Sequence, residues 1–282
     1  GVDTTKVGVY ELFYSVKDSQ GNAATQVTRK VEVQDTRGPV INLKGEVSVT
    51  HEAGSSYKDD GASAVDVVDG DLSVDIVSTV NTLKPGVYRV SYGVSDAAGN
   101  KAKGVVRTVR VVDTTGPVIT LNGDEMVKHE AGGSYKDGGA SGADVVDGAV
   151  SVQTSGDVNQ NKPGSYKLVY NAVDSLGNVS VKKVRTVKVQ DTTGPVIKLK
   201  GEVLVTHEAG SIYTDRGASA VDVVDGDLSG EVNVVSTVDV SKPGDYTVSY
   251  GVSDAGGNKA KEAVRKVKVQ DTRGPVITMI GQ

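Results

Sequence analysis

Lys84-Pro85-Gly86-Val87-Tyr88-Arg89-Val90-Ser91-Tyr92-Gly93-Val94 alternates large apolar residues with small or polar ones from Tyr88 onward. A period of two marks a strand with one buried face. The same alternation returns at 166–173 and 246–252. After the first copy comes the turn Asp96-Ala97-Ala98-Gly99-Asn100, then a second apolar-rich run over 102–112. Gly and Asn there are expected to supply the positive φ of a tight hairpin. Ahead of it lie short Val- and Ile-rich runs at 40–43, 47–50 and 74–80, separated by Gly- and Asp-rich segments. No stretch carries the 3.6-residue apolar period of an amphipathic helix. About seven short strands with frequent turns predict a β-sandwich.

This unit recurs. Gly-Pro-Val-Ile begins at Gly38, Gly116, Gly194 and Gly274, in steps of 78, 78 and 80 residues. Asp-x-x-Gly-Asn keeps the same step at Asp18, Asp96, Asp174 and Asp254, as does His-Glu-Ala-Gly at His51, His129 and His207. A fixed period of this size signals an array of one domain type. The expected organisation is the C-terminal part of one unit (1–37), three complete units (38–115, 116–193 and 194–273), and the first strand of a further one (274–282). The sequence is expected to be an excerpt of a longer array.

Lys84-Pro-Gly-x-Tyr88-x-Val90 has the form of a tyrosine corner, with Val90 where an immunoglobulin domain carries its second Cys. Together with Gly-Pro-Val-Ile, Asp-Val-Val-Asp-Gly-Asp-Leu and Asp-x-x-Gly-Asn, it resembles the bacterial immunoglobulin-like repeats of large surface proteins, adhesins and some pesticidal crystal proteins, which are similar to hyalin repeats. The resemblance covers the whole chain. It implies an all-β fold of tandem immunoglobulin-like β-sandwich domains arranged as a rod, and a cell-surface location.

Composition narrows function. The net charge of −5 is mild and forms no basic patch, so nucleic acid is not an expected partner. No apolar run approaches the ~20 residues that span a bilayer. Cysteine is absent, so the fold does not rest on disulfides. No Gly-x-Ser-x-Gly, His-Glu-x-x-His or phosphate-binding loop is present, and the three histidines share one word, so an enzyme is not expected. They read as strand-end residues packed at a turn. Sugar stacking needs exposed aromatic rings. There is no Trp, and the eleven tyrosines occupy repeating positions; Phe13 alone is unshared.

The acidic words are the candidate site. If the loop between the second and third strands shares a pole with the loop between the sixth and seventh, the junctions gather hard oxygen donors, which Ca²⁺ takes six to eight at a time. The candidate ligands are Asp35, Asp66, Asp69, Asp71, Asp96 and Asn100 at the first junction. Glu52, Asp113, Asp144, Asp147, Asp174 and Asn178 serve the second; Glu130, Asp191, Asp222, Asp225, Asp227, Asp254 and Asn258 serve the third. Ala149 replaces Asp71 and Asp227 in the middle unit, which is expected to weaken its site. The competing reading makes the same residues turn formers that bond their own backbone. Arg29, Arg107, Arg185 and Arg265 are the candidate neutralising charges in that case. Both readings stay open on the sequence.

Each linker reads Asp-Thr-Thr-Gly-Pro or Asp-Thr-Arg-Gly-Pro, short and proline-bearing, which restricts bending. The expected function is a structural stalk or fibre segment of an extracellular bacterial surface protein, with neighbouring domains of the array as partners and calcium at the junctions. A self-associating filament or surface layer of identical chains is the alternative in the same class. A ligand-binding adhesin region is the alternative in another.

Overall fold

The computed structural model describes residues 1–280, and their regular structure is β apart from one short 3-10 turn at Ser229–Glu231. Among them no helix is long and apolar enough to cross a membrane. The chain divides into two compact units. The first holds Gly1–Val118 together with two turns of the middle repeat, Ala143–Val150 and Val173–Ser180; the second holds the rest.

In the first unit, β1 (Gly8–Tyr14) and β2 (Val27–Val33) form an antiparallel pair. The first complete module follows as β3 (Val40–Leu43), β4 (Ser48–Glu52), β5 (Ala62–Asp66), β6 (Gly70–Leu72), β7 (Asp75–Ser78), β8 (Gly86–Gly93) and β9 (Val105–Val112). One sheet runs β3-β5-β6 and the other β4-β9-β8-β7. The same two strand orders recur in the other two complete repeats. Alternation along β8 turns Val90 and Tyr92 inward, where they meet Val109 and Val111 of β9 and Ile41 and Ala64 of the facing sheet. Val90 and Val109 are wholly withdrawn from water, which contributes roughly 1.5–3 kcal/mol each. Leu168, Tyr170, Val187 and Val189 repeat this core in the second unit, and so do Val248, Tyr250, Val267 and Val269.

The tyrosine corner is present. Tyr88 Oη donates to the Lys84 carbonyl at 2.8 Å, Tyr166 to Lys162 at 2.9 Å and Tyr246 to Lys242 at 3.0 Å. The repeated Gly of Gly-Pro-Val-Ile is a close approach: a Cβ on Gly116 would lie 2.3 Å from the Val179 carbonyl oxygen.

Several expectations need correction. Residues 274–280 form no strand, and the last two positions of the expected strand lie outside the described residues. Asp66–Gly70 joins the third and fourth strands, not the second and third. Among the described residues only glycines have positive φ, so Gly99 (φ 90°) makes the turn before Asn100, which acts through its side chain.

The arginines do not serve the acidic turns. Arg107, Arg185 and Arg265 are buried against Asp59, Asp137 and Asp215. Arg29, in the incomplete repeat, sits over the Tyr14 ring at 5.8 Å.

Candidate metal centre

Three backbone elements converge at one end of the first module, because carboxylates cap the turns that deliver them. Asp66 Oδ1 accepts the N–H groups of Val68 and Asp69, and Asp69 Oδ2 accepts the Ala97 N–H. Asp96 accepts the Asn100 N–H on Oδ1 and its amide Nδ2 on Oδ2. That amide also donates to the Asp35 carbonyl at 3.2 Å, tying the incoming linker to the turn. One oxygen each of Asp35, Asp69 and Asp96 consequently lies within 4.8 Å of the others.

The arrangement is repeated with a rotating membership. Asp113, Asp144 and Asp174 form the second group, and Asp191, Asp222 and Asp225 the third. Asn178 Nδ2 donates to the Asp113 carbonyl and Asn258 Nδ2 to that of Asp191, each at 3.2 Å.

These carboxylates both form turns and crowd together. Asp113 Oδ1 accepts the Thr115 N–H, while Oδ2 is buried with no hydrogen-bond partner. Asp35 Oδ2 is likewise buried and unpartnered. Among the described residues no Lys, Arg or His forms an ion pair with any member of the three groups. Burial pushes the Asp113 carboxyl above its ordinary range, and the charges of Asp144, Asp174 and Glu52 push the same way against the Thr115 bond. Asp191 is raised by burial and by Asp222, Asp254 and Glu130. Hard, acceptor-only oxygens held by rigid turns, with excess negative charge, suit a cation that prefers oxygen donors.

The structure leaves other candidates out of these groups. Asp71 and Asp227 lie apart, with Asp227 accepting the Ser229 N–H and hydroxyl, so Ala149 removes nothing from the middle group. Asp147 is taken by Ser175, whose N–H and Oγ donate to its two oxygens at 2.6 and 2.8 Å. Asp254 stands beside the third group, bonded to Asn258.

Glu52 and Glu130 have another task. Glu52 Oε1 accepts the Thr114 N–H and the Thr115 hydroxyl, each at 2.8 Å, and Oε2 accepts the Thr114 hydroxyl at 2.9 Å. Glu130 does the same with Thr192 and Thr193. These bonds lower both carboxyl groups.

The histidines pack as expected at their turns. His51, His129 and His207 lie edge-on to Tyr57, Tyr135 and Tyr213. Nε2 lies 3.1 Å from the carbonyl of Ser55, Gly133 or Ser211. The Ser55 hydroxyl beside His51 donates to the Glu52 carbonyl at 2.8 Å.

Sequence reasoning missed Asp59, Asp137 and Asp215. Asp59 receives Arg107, Tyr57, Tyr92 and the Gly61 N–H. Burial raises its carboxyl, but the bonds from Tyr92, Arg107, Tyr57 and Gly61 outweigh that and hold it at about 2. Tyr-x-Asp at 57–59, 135–137 and 213–215 was the available signal.

With this geometry in hand, the likenesses of the chain are specific. The family described as "Bacterial surface protein, Ig-like domain" matches residues 1–33, 41–111, 119–189 and 197–269. Pesticidal crystal protein Cry22Aa of Bacillus thuringiensis is 30% identical over 212 residues, covering 71% of this chain and 28% of the relative. Internalin I of Listeria monocytogenes serotype 4b (strain F2365) is 25% identical over 283 residues, covering 96% of this chain and 16% of the relative. The chain thus spans less than a third of either relative. A solved I-band fragment of titin, I67–I69, is 14% identical with a TM-score of 0.28, covering 84% of this chain and all of the fragment.

Proposed function

Because this chain belongs to the family of bacterial surface protein Ig-like domains, we propose that it is an extracellular spacer: an extended structural segment of a cell-surface protein. One observation carries the reading. Each complete module spends its distinctive polar residues on the same internal tasks, at Asp59, Asp137 and Asp215, at Tyr88, Tyr166 and Tyr246, and at the junction aspartates. A binding region would set one module apart, and interchangeable modules suit a spacer. Small-angle scattering on the chain tests this. The three complete modules, about 35–40 Å each, give the chain a maximum dimension of at least about 110–120 Å; a particle half that long sinks the reading.

Calcium is the finer part of the proposal. The aspartate groups are read as Ca²⁺ sites, held by Asp35, Asp69 and Asp96, by Asp113, Asp144 and Asp174, and by Asp191, Asp222 and Asp225. The supporting observation is the unpartnered Oδ2 on Asp35 and on Asp113. A bound divalent ion would supply the missing positive charge and hold each linker against the turns of the module that follows it.

A further inference from the structure

We propose that the parallel pairing of β4 with β9, closed at its end by the bonds that tie Glu52 to the outgoing linker, is a mechanical clamp by which each module resists tension along the chain. This rests on the spacer reading, because only a tether carries such a load.

The topology decides how force is felt. Tension enters a module through the linker before β3 and leaves through the linker after β9. β4 runs parallel to β9 in the register Ser48↔Thr108 to Glu52↔Val112. Pulling the start of one strand and the end of its parallel neighbour slides them past each other, so their bonds share the load. Strands whose pulled ends are adjacent, as in a hairpin, would instead open one bond at a time.

Hydrogen bonds extend this pairing at both ends. Thr108 N–H donates to the Val47 carbonyl at 2.9 Å, and Ala53 N–H to the Val112 carbonyl at 2.7 Å. In the middle repeat Thr186 bonds Glu125 and Ala131 bonds Gln190; in the third, Lys266 bonds Val203 and Ala209 bonds Gln270.

Glu52 then carries the attachment beyond the sheet. It stands on the last residue of β4 and accepts three bonds from Thr114 and Thr115, in the segment where tension leaves β9. Glu130 repeats this on Thr192 and Thr193. Glu208 accepts the Thr272 N–H at 3.1 Å and its hydroxyl at 2.6 Å, with Arg273 standing where the second threonine would be, Nε 3.7 Å from Oε1. Bonds to a carboxylate are stronger than neutral ones. Placed at the loaded end, they must break before the strands slide, and losing them raises the unfolding rate.

The test is single-molecule pulling on the whole chain at constant force. The variant Glu52→Ala/Glu130→Ala/Glu208→Ala is compared with Tyr88→Phe/Tyr166→Phe/Tyr246→Phe, which loses a bond at the same end of the module but outside the β4–β9 pairing and its linker contacts, and so keeps the clamp. The glutamate variant is expected to unfold its modules roughly tenfold faster than the parent, the factor that about 1.4 kcal/mol produces. The tyrosine variant is expected to change the rate much less for a comparable loss at equilibrium. Thr114→Val/Thr192→Val/Thr272→Val, which removes one hydroxyl bond to the glutamate in each module, is expected to fall between parent and glutamate variant, and it replaces that variant should the latter not fold. Equal rates in parent and clamp variants, or equal acceleration in the tyrosine variant, would overturn the clamp. A compact particle in scattering would overturn the spacer reading instead.

Discussion

Arg107 places Nη1 2.6 Å from Oδ2 of Asp59, and its guanidinium is almost wholly withdrawn from solvent. The remaining donors are spent on backbone, with Nε on the Glu46 carbonyl and Nη2 on that of Lys44. This one side chain therefore ties the segment between β3 and β4 to the segment before β5. Because Asp59 is its sole ion-pair partner among the described residues, Asp59→Ala leaves a buried charge uncompensated. The expected cost is about 3–5 kcal/mol, read as an early unfolding transition in urea. Asp59→Asn, which keeps an acceptor, is expected to cost less.

The corner tyrosines predict a smaller effect. Tyr166→Phe removes the 2.9 Å bond to the Lys162 carbonyl and leaves the ring in place. A loss of about 1 kcal/mol is expected in denaturant melts. Unchanged stability would mean that the bond contributes nothing net to folding.

The fold was legible because the alternation of Tyr88, Val90 and Tyr92 marks one inward face of a strand and recurs in each complete repeat. β5 and β6 were harder to see. Their inward positions are Ala64 and Leu72 among Asp and Gly, residues that read as loop, and burial is carried by small side chains. Repetition located the junction aspartates, but spacing alone did not tell which oxygen each residue gives to its turn and which it leaves facing its neighbours. The Arg107–Asp59 pair spans 48 positions and joins two modest words, so only packing revealed it. The same limit explains why Glu52 read as a ligand rather than as the acceptor of Thr114 and Thr115.

Two groups of carboxylates titrate in opposite senses. Asp59 is depressed to about 2, so its contribution is complete above the unfolded value of about 3.9 and is lost as pH falls from there towards 2. Asp113 and Asp191 are raised, so their ionised forms penalise the folded state, and protonation relieves that penalty. In chelator, thermal stability is expected to rise as pH is lowered from neutral towards the upper carboxylate range, then fall in stronger acid. A monotonic decline from neutral pH downward would contradict the raised values of Asp113 and Asp191.

The repeated linker glycine predicts a steric penalty. Gly116 lies in a linker where a Cβ would come within 2.3 Å of the Val179 oxygen and 2.5 Å of its carbonyl carbon, both backbone atoms that cannot rotate away. Gly116→Ala is expected to cost about 1–3 kcal/mol by overpacking. Gly70→Ala, where a Cβ meets open space, tests positive φ alone and should cost less.

Calcium binding predicts a pattern across the three junctions that differs from the one sequence spacing suggests. Ala149 stands where the flanking modules carry Asp71 and Asp227, yet neither aspartate joins a group. Each group instead contains three carboxylates, so the middle junction is not expected to be the weakest. Ligand charge is a main determinant of Ca²⁺ affinity. Asp144→Asn is therefore expected to weaken the second site, whereas Asp71→Ala should leave the first unchanged. An ion bound only to the folded state raises stability by mass action, about 2.7 kcal/mol at a hundred times its Kd. Calorimetry on the chain, with and without a chelator, should show a lower melting temperature in chelator and heat on adding calcium, with that heat reduced in Asp144→Asn and preserved in Asp71→Ala. Identical melts and no heat would leave Asp35, Asp113 and Asp191 as turn formers whose crowding is offset by the rest of the fold.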